Sequence, residues 1–155
     1  LSAAALTIAL VSLLLWVYSR SVGYVLLALL PLTVSLLWLF EFMGWTAVKF
    51  NLANFFAVPI LIAIGVDGGI HFLARWQELP SKTRLFSTST PTAVGLSFTT
   101  TMIGFGGLLF AHHRGLASLG AVMVLGSIFG LLACMLILPA ILEIIRRHRE
   151  KRTSG

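Results

Sequence analysis

The sequence predicts an all-α membrane protein, a bundle of five transmembrane helices. Of its 155 residues, 58% are hydrophobic and only 10% are charged, and the mean hydropathy is +0.99. Soluble domains are about 25% charged, so this composition excludes an ordinary soluble globule. Five apolar stretches each approach the roughly 20 residues that a helix needs to cross a bilayer. Because lipid offers no water to an open backbone, these stretches are expected to be packed helices.

The predicted spans follow one another with short connections. Their approximate bounds are 1–18, 24–43, 52–76, 91–111 and 116–145. Thr90 followed by Pro91 suits the start of the fourth helix, because proline is favoured at the first helical position. Pro59 and Pro139 are expected to kink the third and fifth helices. The apolar opening at Leu1, with no initiator Met or signal-peptide pattern, indicates the terminal piece of a longer chain.

Lysine and arginine predict the orientation. Only Lys49 and Arg114 fall on one side of the membrane. The other nine of the 11 basic residues fall on the opposite side: Arg20, Arg75, Lys82, Arg84, Arg146, Arg147, Arg149, Lys151 and Arg152. By the positive-inside rule that side is cytoplasmic, so the C-terminus and the basic tail at 146–155 are predicted to be inside. The net charge of +6 then reflects membrane topology, and no nucleic-acid partner is predicted.

A carboxylate lies in the middle of the third predicted span. An Asp near the centre of a bilayer costs about 2.5–3.5 kcal/mol on insertion scales, so Asp67 is a functional-site hypothesis. His71 is four residues later and shares its helix face. A low dielectric disfavours the charged form of a carboxyl, which can then load and release a proton as its hydration changes. We predict that Asp67 is a proton-relay group. For His71 two interpretations stay open: it passes protons inward, or it is a packing or interfacial histidine.

Hydroxyl groups on the fourth predicted span lie at the same depth. Thr99, Thr100 and Thr101 are about 14–17 Å along their helix from its cytoplasmic start, which matches the depth of Asp67. With Ser97, they are predicted to donate to the carboxylate or to line a short hydrated path. The alternative is structural. The threonines then bond the carbonyls of their own helix four residues back, and the carboxylate only ties helices together.

Small residues predict where helices approach closely. Gly65 and Gly69 lie on the face roughly opposite the carboxylate, and Gly126 and Gly130 form a second stripe in the fifth span. Glycines four apart let another helix pack against the backbone. Cys134, the only cysteine, is one turn beyond the second stripe and is expected to be a packed thiol.

No cofactor, metal site or enzymatic activity is predicted. His112 and His113 are adjacent in a short outer turn, where their side chains diverge. Glu41 lies near the outer end of the second span, at an interfacial position. Glu143, near the inner end of the fifth span, is placed to pair with Arg146 or Arg147.

Two stretches resemble a known family. NLANFFAVPILIAIGVDGGIHFLARWQE, at 51–78, resembles the Asp-bearing helix of the resistance-nodulation-division (RND) superfamily. The most similar branch is the MMPL-type lipid exporters, which include the hopanoid-associated transporters. TTTMIGFGGLLFAHHRGLASLG, at 99–120, resembles the two helices that follow in that branch. The two stretches in this order are more specific than an isolated GVD.

The resemblance implies the last five helices of a twelve-helix, two-repeat exporter of lipids or other hydrophobic molecules. The chain would then be the C-terminal membrane half of a proton antiporter in the bacterial inner membrane. Its expected partners are the bilayer, a hydrophobic or lipid substrate, and the N-terminal repeat and periplasmic domains of the same protein. The central Asp of such families belongs to the proton relay, a role that would fall on Asp67.

The resemblance also leaves alternatives open. Many MMPL-type proteins have a Tyr after the central Asp, whereas this chain has Gly68. The relay partner of Asp67 would then be His71 or a group of the other repeat. The same helices resemble a sterol-sensing domain, which implies a lipid-binding or scaffold bundle without ion coupling. A subunit that assists protein export fits the helices equally well.

Overall fold

Every regular element in the described part of the chain is helical. The computed structural model describes residues 5–6, 9–10, 12–13, 21–46, 51–79 and 85–153. The helices are α1 (Val22–Trp45), α2 (Leu52–Phe55), α3 (Ala57–Glu78), α4 (Thr90–Gly106), α5 (Arg114–Leu132) and α6 (Leu138–Thr153). Short 3-10 turns cover Leu85–Ser87 and Gly107–Phe110, and a π-helical segment covers Ala133–Ile137. The predicted all-α class is confirmed for these residues.

Four stretches of the described chain are long and apolar enough to cross a membrane. They are Val22–Trp45, Ala57–Glu78, Thr90–Phe110 and Arg114–His148. These stretches correspond to the second to fifth predicted spans, and they make the chain a multi-pass membrane protein. The first predicted span lies outside the described residues, except for 5–6, 9–10 and 12–13. The number five is therefore not confirmed.

The third predicted span begins as two helices instead of one. Phe56 forms a turn between α2 and α3. Pro59 was expected to kink this span, but it lies in the first turn of α3, where its missing N–H breaks no helical hydrogen bond. The Asn51 amide, just before α2, donates to the Ser118 hydroxyl at 2.9 Å and ties this end of the span to α5.

The last span contains a widened turn. The Leu138 N–H bonds to the Ala133 carbonyl, five residues back, which is the π-helical pattern. Pro139 follows directly. In a regular helix its ring would clash with the carbonyl of Met135, four residues back. The π turn relieves that clash, so the predicted disturbance at Pro139 takes the form of a widened helix.

The basic tail continues the last helix. α6 extends to Thr153, so most of the predicted 146–155 tail is helical. The Glu143 carboxylate accepts hydrogen bonds from Arg146 at 3.0 Å and from Arg147 at 3.2 Å. The predicted pairing of Glu143 is therefore found, with both arginines. These contacts are between side chains three and four residues apart, which is the spacing that stabilises helices.

Packing is uneven across the bundle. The core is formed by α1, α3 and the last span, with fully buried side chains such as Phe72, Leu39 and Met123. By contrast, α4 buries only Val94 and Phe98. Most of the surface of α4 is thus left uncovered by the other described helices.

Candidate functional site

Asp67 and His71 form a contacting pair halfway along α3. Oδ1 of Asp67 and Nε2 of His71 are 3.5 Å apart, and each side chain is 63% exposed. That separation is slightly longer than an ordinary hydrogen bond, so a small side-chain rotation would connect the two groups. The two side chains are four residues apart, so the contact follows from their shared helix face.

A polar cleft of about 320 Å³ contains the pair. One wall is a single stripe along the second half of α3, formed by Asp67, His71, Arg75 and Glu78. This stripe spans about 16 Å at 1.5 Å per residue. Its far end carries an ion pair, in which Arg75 Nη1 lies 3.0 Å from Glu78 Oε2. The cleft therefore extends from the end of α3 predicted to be cytoplasmic to the middle of the membrane span.

The opposite wall is the first half of α4. Its polar side chains are Ser89, Thr90 and Ser97, and Phe98 closes the deep end. Helix α4 starts at Thr90 with proline in its first turn, as the sequence predicts. Hydroxyl groups thus face the titratable stripe of α3 across the cleft, an arrangement that can hold water between two helices.

The predicted threonines lie elsewhere on α4. None of the three is among the described residues that line the cleft. Each hydroxyl donates to a carbonyl of its own helix: Thr99 to Gly95 at 2.7 Å, Thr100 to Leu96 at 2.8 Å and to Ser97 at 2.9 Å, and Thr101 to Ser97 at 3.0 Å. Ser97, which precedes the three threonines on α4, is the hydroxyl-bearing residue of this part of the helix that lines the cleft with Asp67.

Close packing fixes the back of α3. A Cβ on Gly69 would meet the carbonyl oxygen of Ala28 in α1, and a Cβ on Gly65 would lie 3.1 Å from Leu32 Cδ1. Gly68, next to Asp67, would bring a Cβ within 2.9 Å of the Cys134 thiol. The buried face of α3 is therefore held against α1 and the π-helical segment, while the opposite face presents Asp67 to the cleft.

The glycine stripe of α5 lies in similarly tight surroundings. A Cβ on Gly126 would lie 2.7 Å from Leu61 Cδ2 of α3, and one on Gly130 would lie 2.7 Å from Phe98 of α4. Helix α5 thus packs against both helices that form the cleft. The positions of α3 and α4 at the cleft therefore depend on the close packing of α5 at Gly126 and Gly130.

Four residues that line the cleft were not predicted as site residues from the sequence: Arg75, Glu78, Ser89 and Thr90. Arg75 was interpreted only as a positive-inside residue, although it continues the four-residue spacing that links Asp67 to His71. That spacing was the available signal, since positions four apart share a helix face. The serine and threonine at the start of α4 had no such signal, because their place opposite α3 depends on how the two helices pack.

The described ranges offer no metal cluster at this site. No group of three or more His, Cys, Asp or Glu side chains there is arranged to hold a metal ion. The side chains of Asp67 and His71 contact one another, and the cleft connects both to the end of α3. The fold and the site together describe a multi-pass helical membrane protein with a polar cleft inside its span.

The chain is similar to transporters of lipids. It is 32% identical over 154 residues to the hopanoid transporter HpnN of Burkholderia multivorans, which covers 99% of this chain and 17% of that protein. It is 32% identical over 132 residues to HpnN of Rhodopseudomonas palustris, with coverages of 85% and 15%. A membrane protein of Methanocaldococcus jannaschii is 30% identical over 139 residues, with coverages of 85% and 36%. No protein-family model and no solved structure matches the chain.

These similarities confirm the resemblance to the RND superfamily and its hopanoid-associated, MMPL-type branch. The match to HpnN runs along 85–99% of this chain, and the predicted Asp-bearing helix falls within it. The chain spans only 17% and 15% of the lengths of these two hopanoid transporters.

Proposed function

We propose that this chain is the membrane portion of a proton-driven RND/MMPL-type exporter of lipids or other hydrophobic molecules, with Asp67 as its relay carboxylate. The observation that carries the proposal is the Asp67–His71 contact inside the cleft between α3 and α4. Ionisable side chains inside a membrane span are costly and rare, and they commonly mark proton pathways. In this proposal the pair exchanges protons between the membrane interior and one end of the cleft.

In this proposal protons pass along the cleft from Asp67 to His71 and leave beside Arg75 and Glu78. These residues form one continuous stripe on α3, and the hydroxyls of Ser89, Thr90 and Ser97 supply partners for water on the other side. The three threonines, Thr99 to Thr101, contribute by shaping α4 around Ser97, since two of them donate to its carbonyl. The helices pack closely at four glycines: Gly65, Gly69, Gly126 and Gly130.

The rest of the machinery is supplied by the longer protein. We infer that the longer protein adds a periplasmic domain that handles substrate and a second helical repeat, while residues 1–18 of this chain form its first span. Two observations support a covering repeat: the exposed face that carries Asp67 and His71, and the uncovered surface of α4. Both features suit a bundle that packs against further helices. We further propose that the protein lies in the bacterial inner membrane, with its C-terminus in the cytoplasm.

Transport that depends on a proton gradient tests this function. The full-length protein, reconstituted in proteoliposomes, should transfer a labelled hopanoid lipid to acceptor vesicles when a pH gradient is imposed. Dissipating the gradient with a protonophore should reduce the transfer to the level of protein-free vesicles. A protein that binds the lipid but responds to neither treatment would instead be a sterol-sensing-like lipid-binding or scaffold bundle, and the exporter proposal would be wrong.

A further inference from the structure

A second cavity, separate from the proton cleft, lies between α1 and α5. It has a volume of about 510 Å³ and shares no described lining residue with the cleft. Its described lining is four aromatic side chains, one carboxylate and one hydroxyl: Trp38, Phe42, Trp45, Phe129, Glu41 and Thr46. The cavity lies at the end of α1 that the basic residues predict to be on the outer side of the membrane.

The aromatic walls are organised around Phe129. Its ring centroid lies 6.2 Å from that of Trp38, at an interplanar angle of 70°, and 5.8 Å from that of Phe42, at 63°. These are edge-to-face contacts, which hold neighbouring rings in fixed relative orientations. Trp45 is 90% exposed and adds an open fourth side. The cavity therefore has a wall of contacting aromatic rings, and its open side lies at Trp45.

The polar groups of this cavity favour a cation. Glu41 lies four residues before the end of α1, about 6 Å from it, and no ion pair to Glu41 is found among the described side chains. The Thr46 hydroxyl donates to the Phe42 carbonyl at 3.0 Å, which leaves its oxygen free to accept. Aromatic faces also attract cations, most strongly when the cation is removed from water. A carboxylate among aromatic faces is a cation-binding combination.

Apolar surface continues from the cavity toward the middle of the membrane. Leu37, one turn before Glu41 on α1, is 62% exposed, and Leu132, one turn after Phe129 on α5, is also exposed. The two helices run in opposite directions in the predicted topology, so both leucines extend the surface in the same direction. A ligand with a cationic head at Glu41 would have room for an apolar chain along this track.

From these features we infer a binding site for a membrane lipid with a terminal ammonium headgroup. The ammonium lies against the Glu41 carboxylate and the faces of Trp38 and Phe42, and an acyl chain follows Leu37 and Leu132. The lipid enters sideways from the outer leaflet, through the side left open by Trp45. The site is independent of the proton relay, because none of its residues lies in the cleft.

Quenching of tryptophan by brominated lipids tests this site. The probes are phosphatidylethanolamine and phosphatidylglycerol with brominated chains, which differ at the headgroup by an ammonium. The full-length protein is placed in nanodiscs of unlabelled phosphatidylglycerol. At equal mole fraction, brominated phosphatidylethanolamine should bind about fivefold more strongly at the Trp38 and Trp45 positions, a preference within the range of cation–aromatic and ion-pair contacts. The signal is isolated by subtracting a variant in which both tryptophans are replaced by phenylalanine.

Two variants decide the origin of the preference. Glu41→Gln should abolish it, whereas Glu143→Gln, a matched change at the other end of the bundle, should leave it unchanged. Glu41→Gln should also retain gradient-driven lipid transfer, which shows that it folds and that the site is separate from the relay. Equal quenching by the two lipids in the unmodified protein would overturn the inference. So would a preference that persists in Glu41→Gln.

Discussion

Replacing Asp67 with Asn should abolish gradient-driven lipid transfer by the full-length protein. Asn has nearly the same shape as Asp but cannot take up or release a proton, so the change removes the titration and keeps the volume. Transfer rates in proteoliposomes with an imposed pH gradient should fall at least tenfold, to the level of protein-free vesicles. Because the Asp67 side chain is exposed within this chain, the variant should remain folded.

The matched control is Glu143→Gln. That carboxylate pairs with Arg146 and Arg147 in α6, outside the cleft, and removing its charge leaves the predicted relay intact. The control should retain nearly full transfer. Undiminished transfer in the Asp67→Asn variant would show that protons do not pass through this carboxyl.

Replacing Gly69 with Ala should strongly destabilise the bundle. The added methyl group would meet the Ala28 carbonyl oxygen, with the Ala28 carbonyl carbon at 3.1 Å and its Cα at 3.4 Å. These are backbone atoms, which cannot rotate out of the way as a side chain can. Overpacking typically costs about 1–3 kcal/mol, and a clash with backbone falls at the upper end of that range or beyond it. The thermal unfolding midpoint of the full-length protein in detergent should fall by several degrees.

Gly44→Ala is the matched control for that effect. Gly44 lies in the last turn of α1, away from α4, and a Cβ built there would meet nothing within 4 Å beyond its chain neighbours and the backbone of its own helix. Alanine is favoured over glycine in a helix by about 1 kcal/mol, so this variant should be as stable as the unmodified protein or slightly more stable. If both variants unfold at the same temperature, the close approach of α3 to α1 does not stabilise the bundle.

Helices were predictable here because the bilayer requires long apolar stretches. The second to fifth predicted spans have counterparts within a few residues in the described chain. The shapes of two local interruptions of these helices were not predictable from the sequence. The break at Phe56 and the π turn at Ala133–Ile137 each accommodate a proline, but the way a helix absorbs a proline depends on its neighbours.

The site was predictable where it depends on one helix. The Asp67–His71 contact follows from the four-residue spacing, and the structure places Gly65 and Gly69 on the buried face. Depth along the helix does not decide which face the threonines occupy, and none of the three lines the cleft among the described residues. Hydroxyls within a helix readily bond to carbonyls of the preceding turn, and the three threonines do so.

Asp67 itself should take up and release a proton within the membrane. Infrared difference spectra of the full-length protein, recorded between acid and alkaline pH, report the carbonyl stretch of a protonated carboxyl. A band of this kind should titrate in the unmodified protein and be missing in the Asp67→Asn variant. Identical difference spectra from the two proteins would contradict this prediction.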